Sequence, residues 1–282
     1  LTIKRRSTLR LLMIYLRAQW FRATYPHLDR DVSFHPEMDV GLDVYAQPEG
    51  AGHPVLFFIH GGRWKDFSKD LFAPVAMKLL PEEMVVVLPD HTLHPHARYE
   101  QMAREVGAAL SWVIEHAARY GGDPGRVVVA GHSSGAHLAA LAVMDPRFMT
   151  PFGHSVGEVC GFTGISGAYD LEAQYAYERS IGSQAPVMTA VTGGREHFAA
   201  ASPITHVRAD LPPFRLIHGS DDRTVPVEIS TAFHRALQAA GARSELLIYP
   251  GRGHSELLIS ALSEDRPRLL RDVSAFVHGC GV

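Results

Sequence analysis

The chain has 282 residues and a formal net charge of -3, with 27 Lys and Arg against 30 Asp and Glu. That length suits one sizeable α/β domain with a real core, and the near-neutral balance gives no basis for a nucleic-acid partner. Cys160 and Cys280 stand far apart, so no disulfide framework or zinc spacing follows, and Cys160 reads as a buried small hydrophobe. No apolar run nears membrane-spanning length and no signal-peptide pattern is present, so the expected setting is cytoplasmic.

Residues 1–30 carry Lys4, Arg5, Arg6, Arg10, Arg17, Arg22 and Arg30 against Asp29. Leu9, Leu12, Met13, Leu16 and Trp20 recur at helical spacing, which predicts a basic amphipathic helix. Such a helix packs on the domain with solvated arginines, covers a site as a lid, or contacts a membrane surface. Its stripe has to be buried, and the expectation is a cap formed together with residues 170–205.

Residues 31–50 read as an antiparallel edge ribbon. Val55 to Ile59 and Met84 to Leu88 are short continuous apolar runs, the pattern of strands buried on both faces. Helices are predicted over roughly 70–80 and 99–120, the second with Met102, Val106, Leu110, Val113, Ile114 and Ala117 on one face. Val127-Val128-Val129-Ala130 then runs into Gly131-His132-Ser133-Ser134-Gly135, with a helical pattern behind it. Residues 159–165 form the next strand, and 170–205 lose the alternation as an insertion or cap would. Strands at 214–217 and 246–249 alternate with helices at 227–240 and about 267–277. This alternation predicts a mostly parallel sheet with helices on both faces and no second domain.

Ligands of such sheets bind at the carboxyl ends of the strands. Four polar clusters fall there: His60-Gly61-Gly62, Ser133, Asp222 and His254. Strand, Gly-x-Ser-x-Gly and helix is the setting of a nucleophile elbow, and Ser133 is the candidate nucleophile. A serine hydroxyl needs a base within hydrogen-bond reach, and His254, in a Gly-rich turn after the last strand, is the candidate. An acid must orient that imidazole; Asp221 and Asp222 compete, and His218 reads as structural. Developing charge on a carbonyl oxygen needs waiting N–H donors. Ser134, Gly61, Gly62 and Arg63 are the candidates, and Trp64 and His132 are the expected pocket contacts. His91, His94 and His96 read as a plain loop and Asp90 as a loop-bracing group. Nothing in the sequence has metal-ligand spacing or a cofactor motif, and oligomeric state is not legible.

Together these blocks resemble the α/β-hydrolase serine esterases, in the branch with a His-Gly-Gly-x-Trp loop that includes kynurenine formamidases, prenylcysteine methylesterases and bacterial carboxylesterases. The matching residues are His60-Gly61-Gly62-Arg63-Trp64, Tyr120-Gly121-Gly122-Asp123-Pro124, Gly131 to His137, Ser166 to Leu171, Leu211 to Phe214, His218 to Pro226, and Gly253-His254. The resemblance implies an α/β-hydrolase fold with a small helical cap, no cofactor, and Asp222 as the acid. It implies a serine carboxylesterase acting on short-chain or small aryl esters through an acyl-enzyme. The rivals it leaves are an arylformamidase, a prenylcysteine methylesterase and a non-catalytic binding protein on the same fold. The family's Asp-Tyr-Arg-Leu is replaced by Asp90-His91-Thr92-Leu93, so the arginine's bracing role is lost or moved.

Overall fold

The computed structural model describes residues 2–182, 187–263 and 267–281, with side chains inside the first helix described from residue 12 onward. The helices are α1 (Thr2–Thr24), α2 (Lys69–Leu79), α3 (Tyr99–His116), α4 (Ser134–Met144), α5 (Leu171–Ser180), α6 (Val187–Thr192), α7 (Phe198–Ala201), α8 (Val227–Ala239), α9 (His254–Ser263) and α10 (Arg268–His278). The strands are β1 (Leu28–Ser33), β2 (Gly41–Tyr45), β3 (His53–Ile59), β4 (Val85–Pro89), β5 (Gly122–His132), β6 (Gly161–Ile165), β7 (Phe214–Gly219) and β8 (Ser244–Tyr249).

Among the described residues these strands make one sheet in the order β1-β2-β4-β3-β5-β6-β7-β8. β1 and β2 pair antiparallel, as the edge ribbon predicts, and from β4 to β8 every pair is parallel. This is the α/β-hydrolase fold. The apolar runs are buried on both faces because side chains alternate across the pleat. Val55, Phe57, Val85, Val87, Val127 and Val129 face one core, with α3, α4 and α8. Leu56, Phe58, Val86, Leu88, Val128 and Ala130 face the other, with α2, α9 and α10.

Two sequence expectations fail. Cys160 and Cys280 are joined in a disulfide across a sequence separation of 120. The expectation of no disulfide missed it because topology makes the contact. Cys160 leads into β6, and α10 packs back on β6 at that same end. There the Arg126 guanidinium also donates to the carbonyls of His278 and Cys280.

The second failure concerns α1, which ends at Thr24 rather than near residue 30. It packs on α2 and α9. Its inward face is Ala18, Phe21, Arg22 and, just beyond, Tyr25, with Phe21 and Tyr25 stacked near Tyr45. The expected stripe points the other way: Leu12, Met13, Leu16 and Trp20 are 50%, 52%, 51% and 69% exposed. The side chains of Lys4, Arg5, Arg6, Leu9 and Arg10 lie outside the described ones. No helix among the described residues is long and apolar enough to cross a membrane.

The disulfide closes a long loop, and cross-links of this kind are worth about 2–4 kcal/mol. Cys160→Ser, or reduction of the native protein, should lower the melting temperature by several degrees in thermal unfolding. Activity at 25 °C should not change, because Cys160 sits at the opposite end of β6 from the candidate site. Equal melting curves with and without reductant would show that the bond does not form.

Candidate active site

β5 ends at His132, and Ser133 turns the chain into α4 with φ 56° and ψ -124°. A non-glycine residue held there costs about 1–3 kcal/mol and persists only where its surroundings fix it. They do so by close packing. A Cβ on Gly131 would lie 2.6 Å from the carbonyl carbon of Gly135, and one on Gly135 would lie 2.2 Å from the carbonyl oxygen of His60. The elbow therefore lies directly against the end of β3. The Ser133 N–H donates to the Ile165 carbonyl of β6 (2.9 Å), which fixes the turn from the other side.

The loop after β7 and the start of α9 bring the expected partners together. With the tautomer that satisfies both contacts, Ser133 Oγ–H donates to His254 Nε2 (2.9 Å) and His254 Nδ1–H donates to Asp222 Oδ2 (2.7 Å). Asp222 Oδ1 accepts the backbone N–H groups of Thr224 (2.8 Å) and Val225 (2.9 Å). His218 Nε2 lies 2.9 Å from the Val225 carbonyl and 3.2 Å from Asp222 Oδ2, and its other nitrogen meets Ser230 Oγ. Burial alone would raise the Asp222 pKa. The hydrogen bonds from His218 and His254, the His254 charge and the Val225 N–H outweigh it and hold the carboxyl well below the usual range. Asp221 instead is exposed and accepts from Ser220 Oγ (2.7 Å).

A cavity of about 250 Å³ opens on Ser133, bordered also by Arg63, Trp64 and Ser134. Ser134 opens α4, so its N–H has no acceptor within the helix. Gly61 and Gly62 lie behind this wall. A Cβ on Gly61 would meet the His132 carbonyl at 2.7 Å, and one on Gly62 would meet the Asp66 carbonyl at 1.9 Å. Trp64 is buried, and its Nε1–H donates to His137 Nδ1 (3.1 Å). His137 Nε2–H in turn donates to the Ala201 carbonyl (2.7 Å), and burial pushes the His137 pKa down to about 4. The loop, the elbow helix and the segment before β7 are thus tied together.

His132 does not border the cavity, contrary to its expected substrate contact. It packs on His254 with ring centroids 4.9 Å apart, and burial there pushes its pKa down to about 3. The cavity's far wall comes from α5 and beyond, through Gln174, Glu178, Ile181 and Val187. Residues 183–186, inside the expected cap segment, lie outside the described residues, and no described side chain of α1 borders the cavity. Gln174 was not legible as a site residue. It is buried and donates to the Thr224 carbonyl (2.8 Å) and to Glu178, fastening α5 to the acid loop. The only sequence signal nearby was Asp170, which caps α5 by accepting from Glu172 and Ala173.

A profile of the family described as BD-FAE matches residues 42–237. The chain is 27% identical over 87% of its length to a protein described as a probable isoprenylcysteine alpha-carbonyl methylesterase, ICMEL1, of Arabidopsis thaliana. It is 32% identical over 82% of its length to a probable carboxylic ester hydrolase, LipM, of Mycobacterium tuberculosis. These matches cover 54% and 55% of the two relatives, so the chain spans about half the length of the curated relatives it matches. In structure it resembles a propionate-bound esterase of Thermogutta terrifontis, with TM-score 0.73 and 25% identity over 92% of this chain and 96% of that one.

Substituting Asp222→Asn should lower kcat on a small ester by roughly 10⁴-fold, because the amide favours the wrong imidazole tautomer. Asp221→Asn should stay within a few-fold of the parent. Steady-state kinetics on both variants checks the assignment, and the reverse ranking would move the acid to Asp221.

Proposed function

The chain belongs to the BD-FAE family, and from that we propose that it is a serine carboxylesterase cleaving short-chain or small aryl carboxylic esters through an acyl-enzyme. One observation carries the reading: the hydrogen-bonded line Ser133–His254–Asp222 ends at a cavity that Ser134 and Arg63 also border. Ser133 Oγ attacks the ester carbonyl carbon while His254 Nε2 takes its proton. Asp222 keeps the proton on His254 Nδ1 and offsets the charge of the imidazolium. The carbonyl oxygen, now negative, is met by backbone N–H groups of Ser134, Arg63 and Gly62. The C–O bond to the alcohol breaks, and the alcohol leaves with the proton from His254. Water then attacks the acyl-enzyme by the same route in reverse, releasing the acid and restoring Ser133.

The small cavity supports a short acyl group, as does the propionate held by the similar esterase. The relatives described as isoprenylcysteine methylesterases favour a second reading, the methyl ester of a prenylated cysteine. A prenyl chain would then have to lie outside the 250 Å³ cavity. No observation favours an arylformamidase over these, and a binding protein without activity would have no use for the intact hydrogen-bonded line. The cytoplasmic setting sits poorly with the Cys160–Cys280 disulfide, since such bonds are rare where thiols are kept reduced.

Ser133→Ala should lower hydrolysis of p-nitrophenyl esters by several orders of magnitude, on the order of 10⁴–10⁶, while leaving the melting temperature near the parent value. Across esters of increasing acyl length, kcat/KM should be highest for the shortest members. A fluorophosphonate should label Ser133 in intact protein, read by peptide mass spectrometry. Labelling at a different serine would overturn the nucleophile, and a maximum at long chains or on a prenylcysteine methyl ester would overturn the substrate class.

A further inference from the structure

The loop after β3 holds four residues with positive φ: Gly62 (139°), Arg63 (55°), Trp64 (62°) and Phe67 (76°). Such a loop keeps its shape only if it is fixed at several points. Trp64 fixes its front through His137. Its back is fixed by His60, which is 1% exposed and stacks on His91 with centroids 4.7 Å apart. His60 Nδ1–H donates to the Gly61 carbonyl (2.9 Å). That carbonyl shares one planar trans peptide with the N–H of Gly62, so fixing the oxygen fixes the opposite direction of the N–H.

His60 is itself held from behind. Its Nε2 lies 3.4 Å from Asp90 Oδ1, which also accepts the backbone N–H of Lys69 (2.7 Å). Lys69 is 4% exposed, and its Nζ lies near four carboxylates: Asp31 (2.5 Å), Asp70 (3.1 Å), Asp43 (3.4 Å) and Asp90 (3.6 Å). Arg22 of α1 closes the group, with Nη2 2.8 Å from Asp43 and Nη1 2.8 Å from Asp70. Two buried cations thus connect α1 to the residue behind the loop. Burial alone would raise the Asp90 pKa, but the contact with His60, the Lys69 backbone N–H and the Lys69 charge hold it below the usual range.

We propose that Lys69, steadied by Arg22, is a positioning residue for ester hydrolysis: it holds Asp90 against His60, and His60 aims the Gly62 N–H at the reacting oxygen. The cation that braces this loop stands at position 69, on the first turn of α2, and not at position 92, where the related motif carries arginine. Thr92 is instead bonded to Glu105 through its N–H and hydroxyl. This role rests on the esterase reading above. It acts on an interaction that strengthens as charge develops on the oxygen, so its loss falls on kcat more than on KM.

The test compares the intact chain with Lys69→Met, Lys69→Arg, Asp90→Asn and Arg22→Met. Turnover of p-nitrophenyl acetate is divided by active sites counted from fluorophosphonate labelling at its end point, which removes any unfolded fraction. Removing one oxyanion donor costs about 10²–10³ in kcat, and loosening one should cost about 10–100-fold. Lys69→Met and Asp90→Asn are expected to lose that much kcat with KM within about two-fold, and Lys69→Arg to recover most of it. Arg22→Met should show a smaller loss in the same direction. A labelled-site kcat equal to the parent in either Lys69→Met or Asp90→Asn overturns the proposal. If Lys69→Met does not fold, Asp90→Asn carries the decision alone. A parent chain that neither hydrolyses the ester nor takes the label fails the esterase reading instead, which is a separate outcome.

Discussion

Everything at this site depends on how closely the elbow lies against the end of β3. Gly135 leaves no room for a side chain because the carbonyls of Ile59 and His60 occupy that space. The same contact that allows Ser133 its unusual backbone also sets the distance from the serine to the loop that follows β3. The proposed nucleophile and the loop proposed to stabilise charge are therefore one packed unit, and neither can shift without the other. Packed protein interiors transmit such constraints because they contain few voids. The parallel pairing of β5 with β3 on one side and β6 on the other keeps that unit in register.

Charge is handled differently on the two sides of this unit. On the acid side, Asp222 is buried and accepts from two backbone N–H groups and from His254, with His218 Nε2 3.2 Å away. A buried carboxylate is tolerable only with such compensation. The cost of desolvation is offset before any substrate arrives, so the acid needs no rearrangement to steady a charged imidazole. On the loop side, four carboxylates surround Lys69 and Arg22, and the group is anchored at five places: α1, β1, β2, α2 and the residue after β4. In the proposed mechanism the first arrangement orients a proton carrier, and in the proposed positioning role the second holds a strained backbone still.

How much of this was legible follows from the range over which each signal acts. The strands of the inner sheet were plain because a short, continuous, β-branched apolar run needs cover on both of its faces, and the middle of a parallel sheet supplies it. Ser133, Asp222 and His254 stand out as candidates because each follows a strand and their order along the chain is informative. Other residues owe their positions to contacts far apart in sequence. Cys160 finds Cys280 only after α10 has folded back on β6. Lys69 looks like an ordinary solvated lysine at a helix start until β1, β2 and the end of β4 place aspartates around it. His132 stands beside a residue that faces the cavity, but its own ring packs on His254. Gln174 lies in a segment without clear alternation, where burial cannot be read from spacing.

The orientation of α1 shows which force prevails when local pattern and tertiary contact disagree. Burying a Leu or Met side chain fully gains about 1.5–3 kcal/mol, and the outward stripe is already about half covered, so turning it inward would gain a few kcal/mol in all. Turning the helix would also withdraw Arg22 from Asp43, whose side chain is fully buried. Removing one partner of a buried ion pair costs about 3–5 kcal/mol, and the packing of Ala18, Phe21 and Tyr25 would be lost with it. The ion pair and the aromatic stack outweigh the stripe. Hydrophobic periodicity predicts a helix within residues 1–30, but the buried ion pair and the aromatic stack together decide which way it faces.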